Sequence, residues 1–304
     1  MKRNPNFPPQ RGMPISRRTL LRQGAAVLLS WTAGKGAFAR AEGKPALSRR
    51  IGACDWSLGK MADPAAFALA REIGLDGVQV SLGTVDDPTH LQKPEVQERY
   101  RTAAQSSGVA IASLALGLLN QLPFKSDPRA VEWVRTAVDV CGALGCRTIL
   151  LAFFGKGDLR NDSAGVTEVV RRLRKVAPHA ERAGVNLGIE SWLSAEAHVS
   201  LIQRVGSPAV KVYYDVANAT QEGYDICREI RWLGRQGLIC EFHAKENGFL
   251  LGQGKVDFPA VRAAMDDIGY QGWVQIEGAV PRGRSLRESY RANQRFLRRL
   301  FAAT

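Results

Sequence analysis

The chain has 304 residues, of which 45% are hydrophobic and 23% charged, and carries a formal net charge of +13. That balance excludes a disordered, collagen-like or disulfide-scaffold protein, and no apolar run reaches the ~18 residues of a membrane-spanning helix, so stable membrane insertion is not expected. Residues 1–39 hold Lys2, Arg3, Arg11, Arg17, Arg18, Arg22 and Lys35 and no acid, leaving only +6 on the rest, a surplus that speaks for solubility and steering rather than for a nucleic-acid partner.

Taken in chain order, the first feature is Ser16-Arg17-Arg18-Thr19-Leu20-Leu21-Arg22, followed by an apolar stretch from Gly24 to Ala33 and then Ala37-Phe38-Ala39. A twin-arginine start, a short apolar core and a small-residue cleavage pattern resemble a twin-arginine export signal, the alternative being a disordered basic tail. Residues 1–41 are therefore set apart from the fold, with cleavage expected after Ala39 or Ala41. Passage through the twin-arginine export machinery would place the protein in the periplasm or outside the cell. The five cysteines, Cys54, Cys141, Cys146, Cys227 and Cys240, are odd in number and lie in apolar or helical contexts. They read as buried hydrophobes rather than a disulfide framework, with Cys141 and Cys146 the one pair that a bridge would suit.

From residue 42 to 304 a single domain is expected. Short β-branched runs alternate with longer helical segments, and the predicted strands are Arg50–Trp56, Gly77–Ser81, Val109–Leu114, Thr148–Phe153, Val185–Glu190, Val210–Asp215, Leu238–His243 and Trp273–Glu277. Near-continuous apolar runs are the mark of parallel strands covered on both faces. Pro128–Leu144 and Val166–Ala183 read as helices. Asp63-Pro64 and Asp127-Pro128 read as helix starts, and Pro94 and Pro259 can serve likewise. Gly74, Gly108, Gly145, Gly184, Gly206, Gly237 and Gly269 each close a helical segment just before the next strand. Eight such units in about 255 residues fit one (β/α)8 TIM barrel, an α/β fold. The rival, an open doubly wound sheet, usually carries a glycine-rich turn after its first strand, and Ile51–Lys60 has none.

A barrel performs its chemistry at the C-terminal ends of its strands. Four consecutive predicted strands end in a polar residue: Glu190 in Leu187-Gly188-Ile189-Glu190-Ser191, Asp215 in Val212-Tyr213-Tyr214-Asp215-Val216, His243 in Cys240-Glu241-Phe242-His243-Ala244, and Glu277 in Val274-Gln275-Ile276-Glu277-Gly278. One such glutamate alone is more often a cap or an ion-pair partner. Three carboxylates and an imidazole converging on one point repel unless a cation lies between them. The oxygen-rich set suits one divalent metal, Mn²⁺ or Mg²⁺ first, with Co²⁺, Fe²⁺ and Zn²⁺ open.

These residues carry a resemblance. With Tyr213-Tyr214-Asp215-Val216-Ala217-Asn218, Phe242-His243-Ala244-Lys245-Glu246, Leu251–Val261 and Ile268–Glu277, residues 49–302 resemble the sugar phosphate isomerase/epimerase family of xylose-isomerase-like TIM barrels. The resemblance implies that Glu190, Asp215, His243 and Glu277 bind one divalent metal and that Glu190 and Glu277 double as acid and base. Such a site deprotonates a carbon next to a carbonyl. Return of the proton to the other face gives epimerisation, return to the neighbouring carbon isomerisation, and loss of a β-substituent elimination. The expected activity is that of an isomerase or epimerase on an unphosphorylated keto-sugar or cyclitol. A lyase or dehydratase on a 3-keto-glycoside or inosose is the alternative, and a non-catalytic sugar-binding barrel the second.

The chain departs from the family's free-ketose 3-epimerases, which have histidine where Asn218 stands, and from many relatives, which have glutamate where Gln79 stands. Asn218 and Gln79 are candidate substrate contacts, together with Trp56, Trp192 and Lys245, the last either an oxyanion partner or an ion pair with Glu246. Phe153, Phe154 and Asn120 are expected near the same mouth, ordinary packing being the alternative for the aromatics. Arg287, Arg291, Arg295 and Arg299 share one face of the last helix, which reads as a solvated face or, less simply, a contact to an acidic partner or second subunit. A DNA-repair role is disfavoured, because the related three-metal endonuclease barrel needs several histidines at strand ends and only His243 qualifies. No phosphate-cradling glycine loop is present.

Overall fold

The computed structural model describes residues 49–302; the export-signal-like segment and its cleavage points lie outside the described residues. Eight parallel strands, β1 (Arg50–Cys54), β2 (Gly77–Ser81), β3 (Ala110–Leu116), β4 (Thr148–Phe153), β5 (Asn186–Ser191), β6 (Val210–Asp215), β7 (Ile239–Glu246) and β8 (Trp273–Gly278), pair in chain order, and β8 closes onto β1. The helices are α1 (Ala65–Ile73), α2 (Pro94–Ser107), α3 (Ala130–Leu144), α4 (Ser163–Ala183), α5 (Ala195–Val205), α6 (Val216–Gln221), α7 (Ile226–Arg235), α8 (Phe258–Asp267) and α9 (Leu286–Phe301). The fold is a single closed (β/α)8 barrel, as the alternating pattern predicts.

Local chemistry accounts for the boundaries. α4 starts where Asp162 Oδ1 accepts the Gly165 N–H at 2.8 Å and stops where Gly184 turns left-handed at φ 65°. Between them Val169, Val170, Leu173, Val176, Ala177 and Ala180 form the buried stripe laid on the strands. Asp63 and Asp127 accept the N–H groups of Ala65 and Arg129, so each aspartate caps the turn before its helix and the helix begins one or two residues later than the sequence suggests. Cys141 and Cys146 are free thiols with sulfurs 3.3 Å apart, packed in the core behind β4.

The lumen departs from the usual filling of branched aliphatics. Cys54, Gln79, Ser113, Tyr213, Glu241, His243 and Gln275 are all buried and linked to one another by hydrogen bonds, which offset the cost of taking polar groups out of water. Gln275 fits only because residue 52 is glycine: a Cβ there would lie 2.0 Å from Gln275 Oε1. Register shifts interrupt the β2–β3 and β6–β7 ladders at Val78/Gln79 and Val212/Tyr213.

Candidate active site

The four polar strand-end residues meet. One donor atom from each of Glu190, Asp215, His243 and Glu277 lies within 4.8 Å of every other. His243 Nδ1 is 2.8 Å from Glu190 Oε1, 3.6 Å from Glu277 Oε2 and 3.9 Å from Asp215 Oδ2. β5 to β8 are neighbours in the barrel wall, so their ends deliver the four side chains to one point.

Asp215 divides its oxygens between two tasks. Oδ1 accepts the N–H groups of Ala217 and Asn218, capping α6 at 2.8 and 2.9 Å, while Oδ2 is buried and accepts no hydrogen bond. Glu277 takes one donor on each oxygen, Trp56 Nε1 at 3.0 Å and Lys245 Nζ at 2.8 Å. Burial pushes Asp215 up to about 7, with Lys245 opposing and the carboxylates of Glu190 and Glu277 adding to the rise. Glu277 sits at about 2, because His243 and Lys245 outweigh the burial that would raise it. Lys245 is raised although burial opposes its charge, since Asp215 and Glu277 face it. His243 is likewise raised against burial by the anionic groups around it.

These features fit a divalent cation. A histidine that ligates a metal must be neutral, and three carboxylates against one ammonium then leave two negative charges, which one divalent ion balances. The orphaned Asp215 Oδ2 is an open ligand position in a place where a buried oxygen is otherwise costly. The donor set of three carboxylates and one imidazole suits a hard to borderline metal.

Above the cluster lies a cavity of about 470 Å³ whose lining includes Trp56, Asn120, Phe154, Glu190, Trp192, Asn218, Lys245 and Glu277. Trp56, Trp192, Asn218 and Lys245 thus stand where the sequence reading places them. Trp192 packs edge-on against Phe154 at 4.9 Å, and the Arg160 guanidinium covers its ring at 4.4 Å. Asn120 Oδ1 accepts the Phe154 N–H, so its amide nitrogen is left for the cavity.

Three expectations need correction. Gln79 is fully buried and does not line the cavity; its amide is used beneath the cluster, with Oε1 accepting from His243 Nε2 at 3.0 Å. Lys245 does not pair with Glu246. β7 runs on to Glu246, which sets Lys245 opposite Glu277, and Glu246 instead accepts the N–H groups of Lys255 and Val256. Phe153 points out of the barrel and packs on Phe124, because alternate strand residues face opposite sides; only Phe154 lines the cavity.

Some participants escape sequence reading. Asp55 is buried after β1 and accepts from Ser81 N, Ser81 Oγ and Ala62 N, fixing the loop that carries Trp56 and Met61 to the end of β2. Burial lifts its pKa to about 6 against these hydrogen bonds. Glu241 is also lifted by burial, to about 7, and accepts from Ser113 and Tyr213. The Asp directly after the first strand was the available signal for Asp55. On the last helix, Arg287 and Arg291 reach Glu72 of α1, while Arg298 reaches Asp76.

Residues 67–300 match the profile of a family described as the xylose isomerase-like TIM barrel. The chain belongs to that family. A 2-epi-5-epi-valiolone 7-phosphate 2-epimerase of Actinoplanes sp. (strain ATCC 31044 / CBS 674.73 / SE50/110) is 29% identical over 177 residues, 58% of this chain and 65% of that protein's length. The match thus spans just under two thirds of that relative. Among solved structures, D-psicose 3-epimerase in the presence of D-fructose superposes with a TM-score of 0.70 at 17% identity, covering 84% of this chain and all of that one. The 3-keto-D-glucoside 4-epimerase of E. coli gives 0.68 at 16% identity over 83% of this chain and all of its own. At these identities the superpositions establish the fold.

Proposed function

We propose that this protein is a divalent-metal-dependent carbohydrate epimerase or isomerase that moves a proton on the carbon next to the carbonyl of an uncharged keto-sugar or cyclitol. The observation that carries the proposal is the convergence of Glu190, Asp215, His243 and Glu277 at the floor of a cavity that Glu190 and Glu277 themselves line. A metal held by those four residues, Mn²⁺ or Mg²⁺ by the character of the donors, would supply Lewis acidity for the negative charge that develops on the substrate oxygens.

The chain's own groups account for the proton movements. Glu190 and Glu277 enter from β5 and β8, three strands apart, so a substrate lying between them meets one carboxylate on each side. One carboxylate takes the proton from carbon and the other returns it to the opposite face, which inverts the centre; return to the adjacent carbon shifts the carbonyl. Lys245, poised beside Glu277, donates to the oxygen that becomes negative. Trp56 keeps Glu277 in place through its indole N–H.

The cavity supports an uncharged substrate. Among the described residues Lys245 is the only cation in its lining, and Glu277 already occupies it. Arg160, the nearest other cation to Trp192, is held by Asp158 and Glu222. Among the described residues a phosphate would therefore meet no cation that is not already paired with a carboxylate, whereas the amides of Asn120 and Asn218 suit hydroxyl groups. With residues 1–41 read as an export signal, the reaction belongs to the periplasm or beyond.

The test is proton NMR in D₂O with the Mg²⁺-loaded protein and a panel of keto-sugars, 3-keto-glycosides and inososes. Metal-dependent deuterium entry at the carbon next to the carbonyl, lost in Glu277→Gln, is expected, with an epimer or isomer as product. An unsaturated product would identify a lyase instead. Binding without exchange across the panel, with metal bound, would overturn the catalytic reading.

A further inference from the structure

We infer that Gln79 is a positioning residue for the metal site, held by Ser113, Tyr213 and Glu241 so that His243 keeps its proton on Nε2 and turns the Nδ1 lone pair toward Glu190, Asp215 and Glu277. This rests on the proposed metal site and extends it one layer down the lumen.

With Glu241 ionised, donor and acceptor counting fixes the arrangement. Glu241 Oε2 lies 2.9 Å from Ser113 Oγ and 3.1 Å from Tyr213 Oη, and both hydroxyls spend their only proton on it. Each hydroxyl therefore offers only lone pairs to its other neighbour, Gln79 Nε2, at 3.1 and 3.0 Å. That places both amide protons of Gln79 and leaves Oε1 facing His243 Nε2 at 3.0 Å. An amide oxygen only accepts, so Nε2 must carry the proton. Cys54 Sγ, 3.3 Å from the same Oε1, also donates to it. Nδ1 is then the nitrogen that a metal would find once its proton is displaced, and it is the one within 2.8–3.9 Å of the three carboxylates. If the amide were reversed, both hydroxyls would turn to its oxygen and Glu241 would lose them, a costly outcome for a buried carboxylate.

The backbone is shaped to the same end. The register shifts at Val78/Gln79 and Val212/Tyr213 fall on two members of this chain, and such irregularities re-aim side chains. Second-layer partners of metal-bound histidines change metal affinity by roughly 10–100-fold when removed.

The experiment uses the mature chain with ¹⁵N-labelled histidine, tractable because there are four histidines in all. In wild type, the Nε2-bound proton of His243 is expected as a slowly exchanging signal in the metal-free protein and after Zn²⁺ loading, with Nδ1 unprotonated in the loaded form. Gln79→Leu, of similar size but without the acceptor, should lose that slow exchange and bind Mn²⁺ 10–100-fold more weakly by calorimetry. Gln79→Glu keeps an acceptor and should restore the signal. Should Gln79→Leu not fold, Ser113→Ala/Tyr213→Phe leaves Gln79 in place, frees its amide to flip, and should show the same two losses. A folded Gln79→Leu or Ser113→Ala/Tyr213→Phe protein with wild-type Mn²⁺ affinity and an unchanged Nε2 signal would overturn the inference. If wild type takes up no divalent ion, the functional proposal fails, while the Nε2 signal of the metal-free variants still decides the role of Gln79.

Discussion

Asp215 concentrates the chemistry of the cluster in one side chain. Its capping of α6 through Oδ1 fixes the carboxylate plane, and its other oxygen stands buried without a hydrogen bond from the described residues, 3.5 Å from the Lys245 ammonium. Because it titrates at about 7 in the folded protein, a proton competes with the cation for it. Metal affinity should therefore climb as pH rises from 6 to 8 and fall below 7, by up to about tenfold per pH unit for each proton displaced; calorimetric titration with Mn²⁺ in two buffers of different ionisation enthalpy would count the protons released. Lys245 competes in the same way, its ammonium resting 2.8 Å from Glu277 and 3.5 Å from Asp215. Lys245→Met is expected to tighten Mn²⁺ binding by about tenfold, since a like charge a few ångströms away is removed, while deuterium exchange into substrate drops. Weaker metal binding in that variant would assign Lys245 a supporting rather than a competing part. The four ligands were legible in the sequence because each interrupts an apolar run at a strand end. Gln79 was legible only as a polar residue on a strand, and nothing in a single chain tells whether such a residue tops the lumen or lies one layer beneath.

At the level of strands and loops, the alternation of apolar runs with glycine-closed helices gives all eight strands, β2, β4 and β6 to the residue. β1 stops at Cys54 rather than Trp56 and β3 runs two residues past Leu114, but the largest difference is at the end of β7, whose Lys245-Glu246 looks like loop because charged residues rarely continue a buried strand; here Lys245 is neutralised by Glu277 and Glu246 by two backbone N–H groups. The pairing of Asp55 with Ser81 and Ala62 is a contact between separate loops and leaves no local pattern. It carries a pH signature. The unfolded carboxyl ionises near its ordinary 3.8 and the folded one near 6, so the protonated form favours the fold. Its contribution is complete below about pH 4 and is lost as pH rises through 6, on the order of 3 kcal/mol. Urea midpoints measured from pH 3.5 to 7 should show that decline superimposed on other titrations, and Asp55→Asn should flatten it. Ala62, which donates to Asp55, is held at a left-handed φ of 52°. Ala62→Gly should therefore raise stability by about 1 kcal/mol or less, the relief of side-chain strain being partly offset by the freer unfolded chain; a lower Tm would show that the methyl group is needed where it is.

Across the whole barrel, the work is divided by half. β5 to β8 bring the carboxylates, the imidazole and the ammonium, while the cavity wall above β1 to β4 is built from groups without charge, among them Trp56, Ser81, Leu118, Asn120 and Phe154. A ligand that binds only the folded state stabilises it by ~2.7 kcal/mol at 100 times its Kd, so saturating Mn²⁺ should raise Tm by several degrees, and Asp215→Asn should erase most of that gain without unfolding the apo-barrel. Closure also has a temporal side. β1 pairs with β8, more than 200 residues further along, and α9 ties back to Glu72 and Asp76. The first strand made must wait for the last, so the ring cannot shut until synthesis of β8 is finished. Such long-range pairing slows folding and exposes unfinished sheet to aggregation. Were residues 1–41 the export signal we propose, a route that accepts only completed cargo would turn this delay into a checkpoint.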